Sequence, residues 1–558
     1  MSTPTRPSEI QRIGQALKQA EKIGNAEVEI RLYEKLLRIT PDLAPAHAQL
    51  AHLYFELGEE DNARPHVDAA LSQAHDPSVD KVVFPHLYTS PTYQKDAIQA
   101  KKWYAKGKTL IRFKLLYQCL ADHGGGTNEE IESLLHEALN HITLPQEQSQ
   151  LLTLMAQLYY RQARFHDSIA CYQLGLQMTP EHPTQLLNMA VALEQVGRYV
   201  ESMGLYRKLL EKDPDHPAVN NNIAINLLRM GEFEAGWPRY EWRWPAAHKE
   251  HYQQFAIPRW TGQPLKGKTL LVWAEQGIGD HVMFASILNE LRETADDLHY
   301  EIYARLDGLF RRSFPSVHFI RREVQGEREV AGEKVFQQNW PRSDYHIPIG
   351  SLPELFRPSL QSFENRSPYL ISDPEETQSL REDYQRQFPG KRLIGISWRG
   401  GKTVNTEMQS RNIAFKYLAP LANHSEIQLI DLQYDSTPED LANAARCGVR
   451  LHHDDRIDPC IDMDKQASQI CALDAVISVD NTTVHLAGAL GIDTYALLPL
   501  NPNWRWGIRG ARAYWYQSVQ LFRSRTLGDW HDPIGQVIEA MQRDGVLSTN
   551  VNAQGPSA

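Results

Sequence analysis

Apolar residues in the first 240 positions recur at steps of three and four, the spacing that lays one stripe along a helix. From residue 268 onward, short runs of Val, Ile, Leu and Tyr alternate with such helical stretches instead. The helical half also repeats itself. Ala156, Ala190 and Ala224 recur 34 residues apart, as do Phe165, Tyr199 and Phe233, then Tyr172, Tyr206 and Tyr240, and Pro180 with Pro214. Several registers with one period predict stacked pairs of helices. Small residues let the two helices approach, aromatics fill the gap, and proline closes the second helix. An earlier unit shows in YEKLLRITP (33–41), which has the tyrosine-to-proline step of Tyr172 to Pro180. Between 77 and 146 the register is lost, although KKWYAKGKTLIRFKLLYQCLADH (101–123) and EEIESLLHEALNHI (129–142) still read as helices. The stripes of Leu, Tyr and Ala serve as core, because stacked units need them.

The 34-residue period and its residue pattern resemble the tetratricopeptide repeat (TPR), which implies an all-α solenoid with a surface for protein segments. The pattern changes across 236–260, where Trp237, Trp242, Trp244 and Trp260 suit a packed seam between domains. Beyond it TLLVWA (269–274) reads as a strand, EQGIGD (275–280) as a turn and HVMFASILNELRETA (281–295) as a helix. HYEIYAR, VHFIR and DYHIPIG continue the alternation, and PEETQSLREDYQRQF (374–388) bridges to a second series. That series runs through LIGISWRG (393–400), IQLIDLQYD, DAVISVD, TYALLP and a last helix over 533–543. The expected organisation is a helical repeat domain over 1–244 (irregular over 77–146), an N-terminal α/β lobe over 245–375, a C-terminal lobe over 376–545 and a disordered tail over 546–558.

Bulk properties narrow the chemistry. The chain of 558 residues is long enough for several cores. Its net charge of −11, with basic residues scattered, argues against a nucleic-acid partner. Five cysteines at wide spacings without a C-x-x-C pair suggest neither a disulfide framework nor a zinc knuckle, and fit the cytoplasm. The sequence has neither a signal-peptide run nor an integral membrane segment.

Two turns stand out. Gly277 and Gly279 lie between a strand and a helix that Asp280 opens, where glycines allow a tight turn and close approach by a ligand. Asp280 is a helix cap or a reactive carboxylate on this reading. In ISVDNTTVHLAGALG, Asp480 ends a strand, and Asn481, Thr482 and Thr483 begin a helix whose amides and hydroxyls suit a diphosphate.

GIGD with FASILNEL, together with VDNTTVHLAGALG, resembles the GT-B glycosyltransferases of the heptosyltransferase type (glycosyltransferase family 9-like) over roughly residues 265–542. The family pattern D-T-G-x-x-H-L-A is kept at Asp480, His485, Leu486 and Ala487 and departs at Asn481 and Thr482. WRGG, SRNIAFKYLAPL, LQY and LPLNPNWRW further resemble TPR-linked members, a group that includes proteins thought to glycosylate flagellin. The resemblance implies two Rossmann-like lobes with a nucleotide sugar between them, and an inverting transfer that uses cationic side chains and helix dipoles instead of a metal or other cofactor. It makes Asp280 the candidate base. Candidate donor-binding residues are Gly277, Gly279, Arg399, Lys402, Arg411, Gln433, Asp480, Asn481, Thr482, Thr483 and His485.

Each has a plainer alternative. Arg399, Lys402 and Arg411 meet phosphate oxygens or pair with surface carboxylates. Asp480 holds a sugar hydroxyl or caps its helix, and His485 reaches the donor or is a hydrogen-bonded core residue. Gln433 and Tyr434 contact the base or pack at a strand end, and Trp504, Arg505 and Trp506 wall the donor pocket or anchor a loop. The run HHDDRIDPCIDMDKQ (452–466) reads as a solvated acidic loop rather than a metal site, since Asp462 and Asp464 lead into a helix. The expectation is transfer of a sugar to a protein hydroxyl, with flagellin a possible acceptor. The rivals are a scaffold with a degenerate transferase region and a transferase acting on a saccharide or lipid-linked acceptor.

Overall fold

A computed structural model of the chain describes residues 6–73, 76–248, 253–322, 328–330, 333–335, 340–364, 367–400 and 411–548. The chain divides into two compact units, residues 1–189 and 190–558. The division falls inside helix Pro183–Gln195, within the helical array rather than at the change from helices to strands.

The first unit is helical throughout its described residues, and antiparallel pairs such as Ala44–Glu56 with Glu60–Leu71 and Pro145–Arg161 with Phe165–Met178 repeat along it. The registers of the sequence have physical counterparts. Phe165, Tyr199 and Phe233 are each the first residue of the second helix of a pair. Ala156, Ala190 and Ala224 are completely buried, where any larger side chain would push the paired helices apart. Ala163 has a φ of 59° at the position where the next two repeats carry Gly197 and Gly231, at 76° and 84°. Only glycine takes that left-handed conformation without a Cβ clash.

In the irregular stretch, the helix expected over 101–123 is broken. Helix Ala97–Lys106 ends at Gly107, and Leu110–Tyr117 starts anew after Thr109, whose N–H donates to the Gly107 carbonyl. A buried ion pair holds the break: Arg112 donates to both Asp80 oxygens at 2.8–3.1 Å and to the Trp103 carbonyl at 3.0 Å.

The second unit begins with the last helical pairs and continues into two parallel sheets. β1 (Leu265–Trp273), β2 (Ala295–Ile302), β3 (His318–Arg321) and β6 (Tyr345–Pro348) form one sheet in the order β3-β2-β1-β6, with every pairing parallel. β4 (Arg328–Val330) and β5 (Glu333–Val335) pair as a separate two-stranded antiparallel sheet. The other sheet contains β7 (Arg392–Ser397), β8 (Ile427–Asp431), β9 (Leu451–His452), β10 (Ala475–Val479), β11 (Thr494–Leu498) and β12 (Val519–Arg523). Its order, β12-β11-β10-β7-β8-β9, is that of a doubly wound Rossmann sheet. Central strands β7, β10 and β11 are almost wholly buried, as expected of strands covered on both faces. The fold is thus an all-α TPR-type solenoid followed by a GT-B-like α/β region of two Rossmann-like sheets.

The tryptophans at the junction are mostly core. Trp237 and Trp260 are buried, and the Trp237 indole donates to the Arg357 carbonyl at 2.7 Å and packs edge-on to Trp504. Arg243 is buried with Glu275 in a two-pronged pair at 2.8 Å on each arm, so the last helical turn is bonded into the first α/β turn. Residues 549–558 lie outside the described residues. Before them Leu547 is buried, and the Ser548 hydroxyl donates to Glu426 at 2.8 Å.

Candidate functional site

Both sheets reverse their strand order once, between β1 and β6 in one and between β7 and β10 in the other. The carboxyl ends of strands at such switch points are where open α/β sheets bind ligands, because the flanking connections leave on opposite faces and open a crevice. β1 and β10 lead into the two turns singled out in the sequence.

After β1, the Ala274 N–H donates to the buried carboxylate of Glu301 at 2.7 Å. Gln276 takes a φ of 57°, an unfavourable conformation for a residue with a Cβ. It is held there from both sides: its side-chain amide donates to the Tyr240 hydroxyl and its main-chain carbonyl accepts from Tyr303, each at 2.8 Å. Gly277 caps helix Ile278–Phe284, which places Asp280 in the first turn. One Asp280 oxygen accepts from Arg505 Nε at 2.6 Å and from Nη2 as well. Burial works against the Arg505 charge, but Asp280 holds its pKa above the usual guanidinium value.

After β10, Asn481 is the N-cap of helix Thr482–Leu490 and accepts from the Thr483 N–H at 3.0 Å. Its amide donates to Ser397 at 2.7 Å and to the Arg399 carbonyl at 3.1 Å, tying this turn to the end of β7. Asp480 is 3 % exposed, and Arg411 donates to its carbonyl at 3.2 Å and lies 3.6 Å from its carboxylate. Among the described residues, buried Asp480 Oδ2 and Arg411 Nε have no hydrogen-bond partner, although Oδ2 is ion-paired with Arg411 Nη1 at 3.6 Å, which leaves hydrogen-bonding capacity that a ligand can use.

The two turns face each other across a cleft of about 480 Å³. Gly279 allows the close approach: a Cβ there would lie 3.0 Å from the His485 ring and 3.6 Å from the Thr482 hydroxyl. Of the sequence candidates, Gly277, Gly279 and Asp280 line one side and residues 480–483 with His485 the other, with Arg411 beside them. His485 is a core histidine with an edge on the cleft. It stacks on Trp506 at 4.9 Å and is hydrogen-bonded to Tyr516 at 2.9 Å, and burial followed by the nearby Arg505 lowers its pKa to about 4. Thr483 is buried, its hydroxyl 3.4 Å from the Leu432 carbonyl.

Arg399 and Gln433 do not line the cleft. The Arg399 guanidinium is taken up by Asp435 and Asp440, at 2.9 and 3.0 Å, which is the carboxylate-pairing alternative. Gln433 accepts from Ser397, Trp398 and Arg399 at 3.0–3.1 Å and so clamps β8 to the end of β7. Lys402 lies outside the described residues. Arg505 emerges as the partner of Asp280, while Trp504 and Trp506 are buried walls behind it. The acidic run is less solvated than expected: Asp454 is buried against Tyr384 and Arg456, and Asp464 accepts from Arg312 of the other lobe at 2.6 Å.

Fold and site together define a TPR-containing protein with a GT-B-like α/β region and a cleft between its lobes. The tetratricopeptide-repeat family profile matches residues 185–218. The chain is 33 % identical over 320 residues to Protein FlbA of Caulobacter vibrioides, a match covering 55 % of this chain. It spans about half, 52 %, of the length of that curated relative. Among solved structures, a glycosyl transferase family 9 protein of Veillonella parvula aligns over 52 % of this chain and 93 % of its own, at 12 % identity and a TM-score of 0.33. Pseudomonas aeruginosa pilF aligns over 38 % of this chain and 94 % of its own, at 18 % identity and a TM-score of 0.29. None of the described helices is long and apolar enough to cross a membrane.

Proposed function

We propose that this protein is a glycosyltransferase that moves a sugar from a nucleotide-sugar donor to a hydroxyl of a protein acceptor held by the TPR array. The observation that carries the reading is the meeting of two switch-point turns, which sets the Asp280 carboxylate opposite the Asp480 turn and Arg411 in one cleft. Glycosyl transfer requires a base for the acceptor hydroxyl and positive charge for the departing phosphate. Asp280 takes the hydroxyl proton as the acceptor oxygen bonds to the anomeric carbon. The bond from that carbon to the terminal phosphate oxygen breaks, and the nucleotide leaves with the electron pair. Attack from the face opposite the leaving group inverts the anomeric centre.

Arg411 and the positive end of helix Thr482–Leu490 receive the phosphate charge, so the transfer calls on no metal ion. Arg505 orients Asp280 through its guanidinium. Gly277 and Gly279 give the donor backbone-close access, and Asp480 meets a donor hydroxyl with its carboxylate beside Arg411. The stacked repeats favour a protein acceptor, since such surfaces suit extended protein segments. Flagellin is the first candidate, through the family resemblance of the sequence.

Calorimetric titration of the full chain with UDP-, GDP-, dTDP-, ADP- and CMP-linked sugars tests the donor. Selective binding of one class is expected, and binding of none by the folded protein would overturn the reading. With that donor, a gain of one sugar in the intact mass of flagellin is expected; product in a lipid extract instead would displace the protein acceptor.

A further inference from the structure

The first unit holds a cluster unrelated to the cleft. On helix Ala44–Glu56, His52 and Glu56 are four residues apart and therefore on one face. On helix Pro77–Leu87, His86 brings its Nε2 to 2.8 Å from His52 Nδ1. One ligand atom from each of His52, Glu56 and His86 lies within 4.8 Å of the others. His52 and His86 are 34 residues apart on the neighbouring helices Ala44–Glu56 and Pro77–Leu87, whose packing brings the two imidazoles together. The His86 ring is fixed by stacking on Phe55, with centroids 4.8 Å apart and planes within 8°.

A second histidine pair in the same unit shows what a plain hydrogen bond between imidazoles requires. His47 Nδ1 and His66 Nδ1 are 2.9 Å apart, and His47 Nε2 is 2.8 Å from the Pro41 carbonyl. That carbonyl forces His47 Nε2 to be the donor, leaving its Nδ1 as acceptor for His66, and the chain of bonds is complete. Among the described residues no carbonyl sets the tautomer of His52 or His86, and the third group beside them is a carboxylate, which carries negative charge to the pair.

We propose that His52, Glu56 and His86 form a binding site for a zinc-type divalent transition metal, with a fourth position open to water or to a side chain of a bound protein. Two imidazole nitrogens and one carboxylate oxygen are a borderline-soft donor set that suits such an ion and not magnesium or calcium. Metal–nitrogen bonds of about 2.0–2.1 Å at the tetrahedral angle separate ligand nitrogens by about 3.3 Å. The observed 2.8 Å therefore opens slightly on binding, and exposed Glu56 swings in to close the third side.

The test is metal stoichiometry and affinity of the full-length protein, stripped with chelator and titrated with Zn²⁺ alone against a chromophoric competitor. Co²⁺ substitution then reports a tetrahedral site through its visible spectrum. Wild type is expected to bind one more equivalent than His52→Ala or His86→Ala, with a Co²⁺ spectrum free of thiolate bands. Glu56→Gln, an exposed change that leaves the helix intact, is expected to weaken that equivalent by at least about tenfold. If His52→Ala and His86→Ala do not fold, Glu56→Gln decides alone. Equal stoichiometry and affinity in wild type and every folded variant would overturn the site and leave a simple imidazole–imidazole hydrogen bond.

Discussion

The two turns that meet in the cleft are built on one plan, a buried parallel strand followed by a short turn and a helix, yet their polar groups are arranged in opposite ways. In the β1 turn the acid reaches the cleft, with its side chain 14 % exposed, and the histidine is hidden. Asp280 lines the cleft beside Arg505, while the next residue, His281, is fully buried with neither ring nitrogen hydrogen-bonded among the described residues. In the β10 turn the acid is recessed, Asp480 lying against Arg411, and the histidine is bonded and stacked at the edge of the cleft. A shared local recipe therefore fixes where the chain turns, and the tertiary partners decide which side chain is presented. On the proposed reading, the first turn supplies the base and the second receives the phosphate.

The largest effect should come from removing the presented acid. Asp280→Asn keeps the shape of the turn and is expected to lower the transfer rate by about 10²–10⁴-fold, the range of a lost general base, with donor affinity little changed. Single-turnover transfer and calorimetry on the same preparation check this, and near-normal turnover would take the base role from Asp280. Next in size is the recessed side. Arg411→Ala removes a cation beside Asp480 and is expected to weaken donor binding by about 10- to 100-fold, as loss of a charged hydrogen bond of about 1.5–3 kcal/mol implies. Unchanged donor affinity would mean that the β10 turn is not the phosphate side.

Arg399 sharpens the contrast because the sequence offers it beside Arg411 as a phosphate ligand and its surroundings differ. Its guanidinium spans Asp435 and Asp440 with side chains only 16–25 % exposed, and removing it leaves two neighbouring carboxylates without their cation. Arg399→Ala is expected to cost about 1–3 kcal/mol of stability, seen as a lower thermal midpoint, while donor affinity stays within about twofold. A loss of affinity matching that of Arg411→Ala, without loss of stability, would return Arg399 to the donor site.

These cases show what the sequence makes legible. The strand-to-helix turns, their glycines and the repeat register are local, so spacing alone exposes them. Side-chain direction is not local. Whether Arg399 or Arg411 enters the cleft depends on carboxylates of a later loop and helix, and the Arg505 partner of Asp280 comes from 225 residues away. The break at Gly107 is a further instance, since the apolar stripe continues through it and the buried Arg112–Asp80 pair that stabilises it joins positions 32 residues apart.

The smallest effect tests the hidden half of the comparison. Burial, followed by the charge of Arg322, lowers the His281 pKa to about 3, among the rings of Tyr300, Tyr303 and Phe310. A histidine held neutral in the fold takes up a proton on unfolding below its ordinary value of about 6.5. Its contribution is thus complete above that pH and is lost as pH falls from about 6.5 toward 3, at up to about 1.4 kcal/mol per pH unit. Glu301, pushed up to about 7 by burial against the opposing charge of Arg322, works the other way, since its contribution is lost as pH rises from about 4.5 to 7. The two slopes oppose each other in wild type, so the informative quantity is a difference between variants. His281→Phe fills the same aromatic pocket without a titratable ring, and is expected to change stability at pH 7.5 by less than about 1.5 kcal/mol. Between pH 6 and 4 it should lose less stability than wild type, by about one proton's worth of slope, measured by calorimetric unfolding at each pH. Parallel profiles for the two proteins would show that His281 is hydrated or paired, and that the histidine of the first turn is not the recessed counterpart of His485.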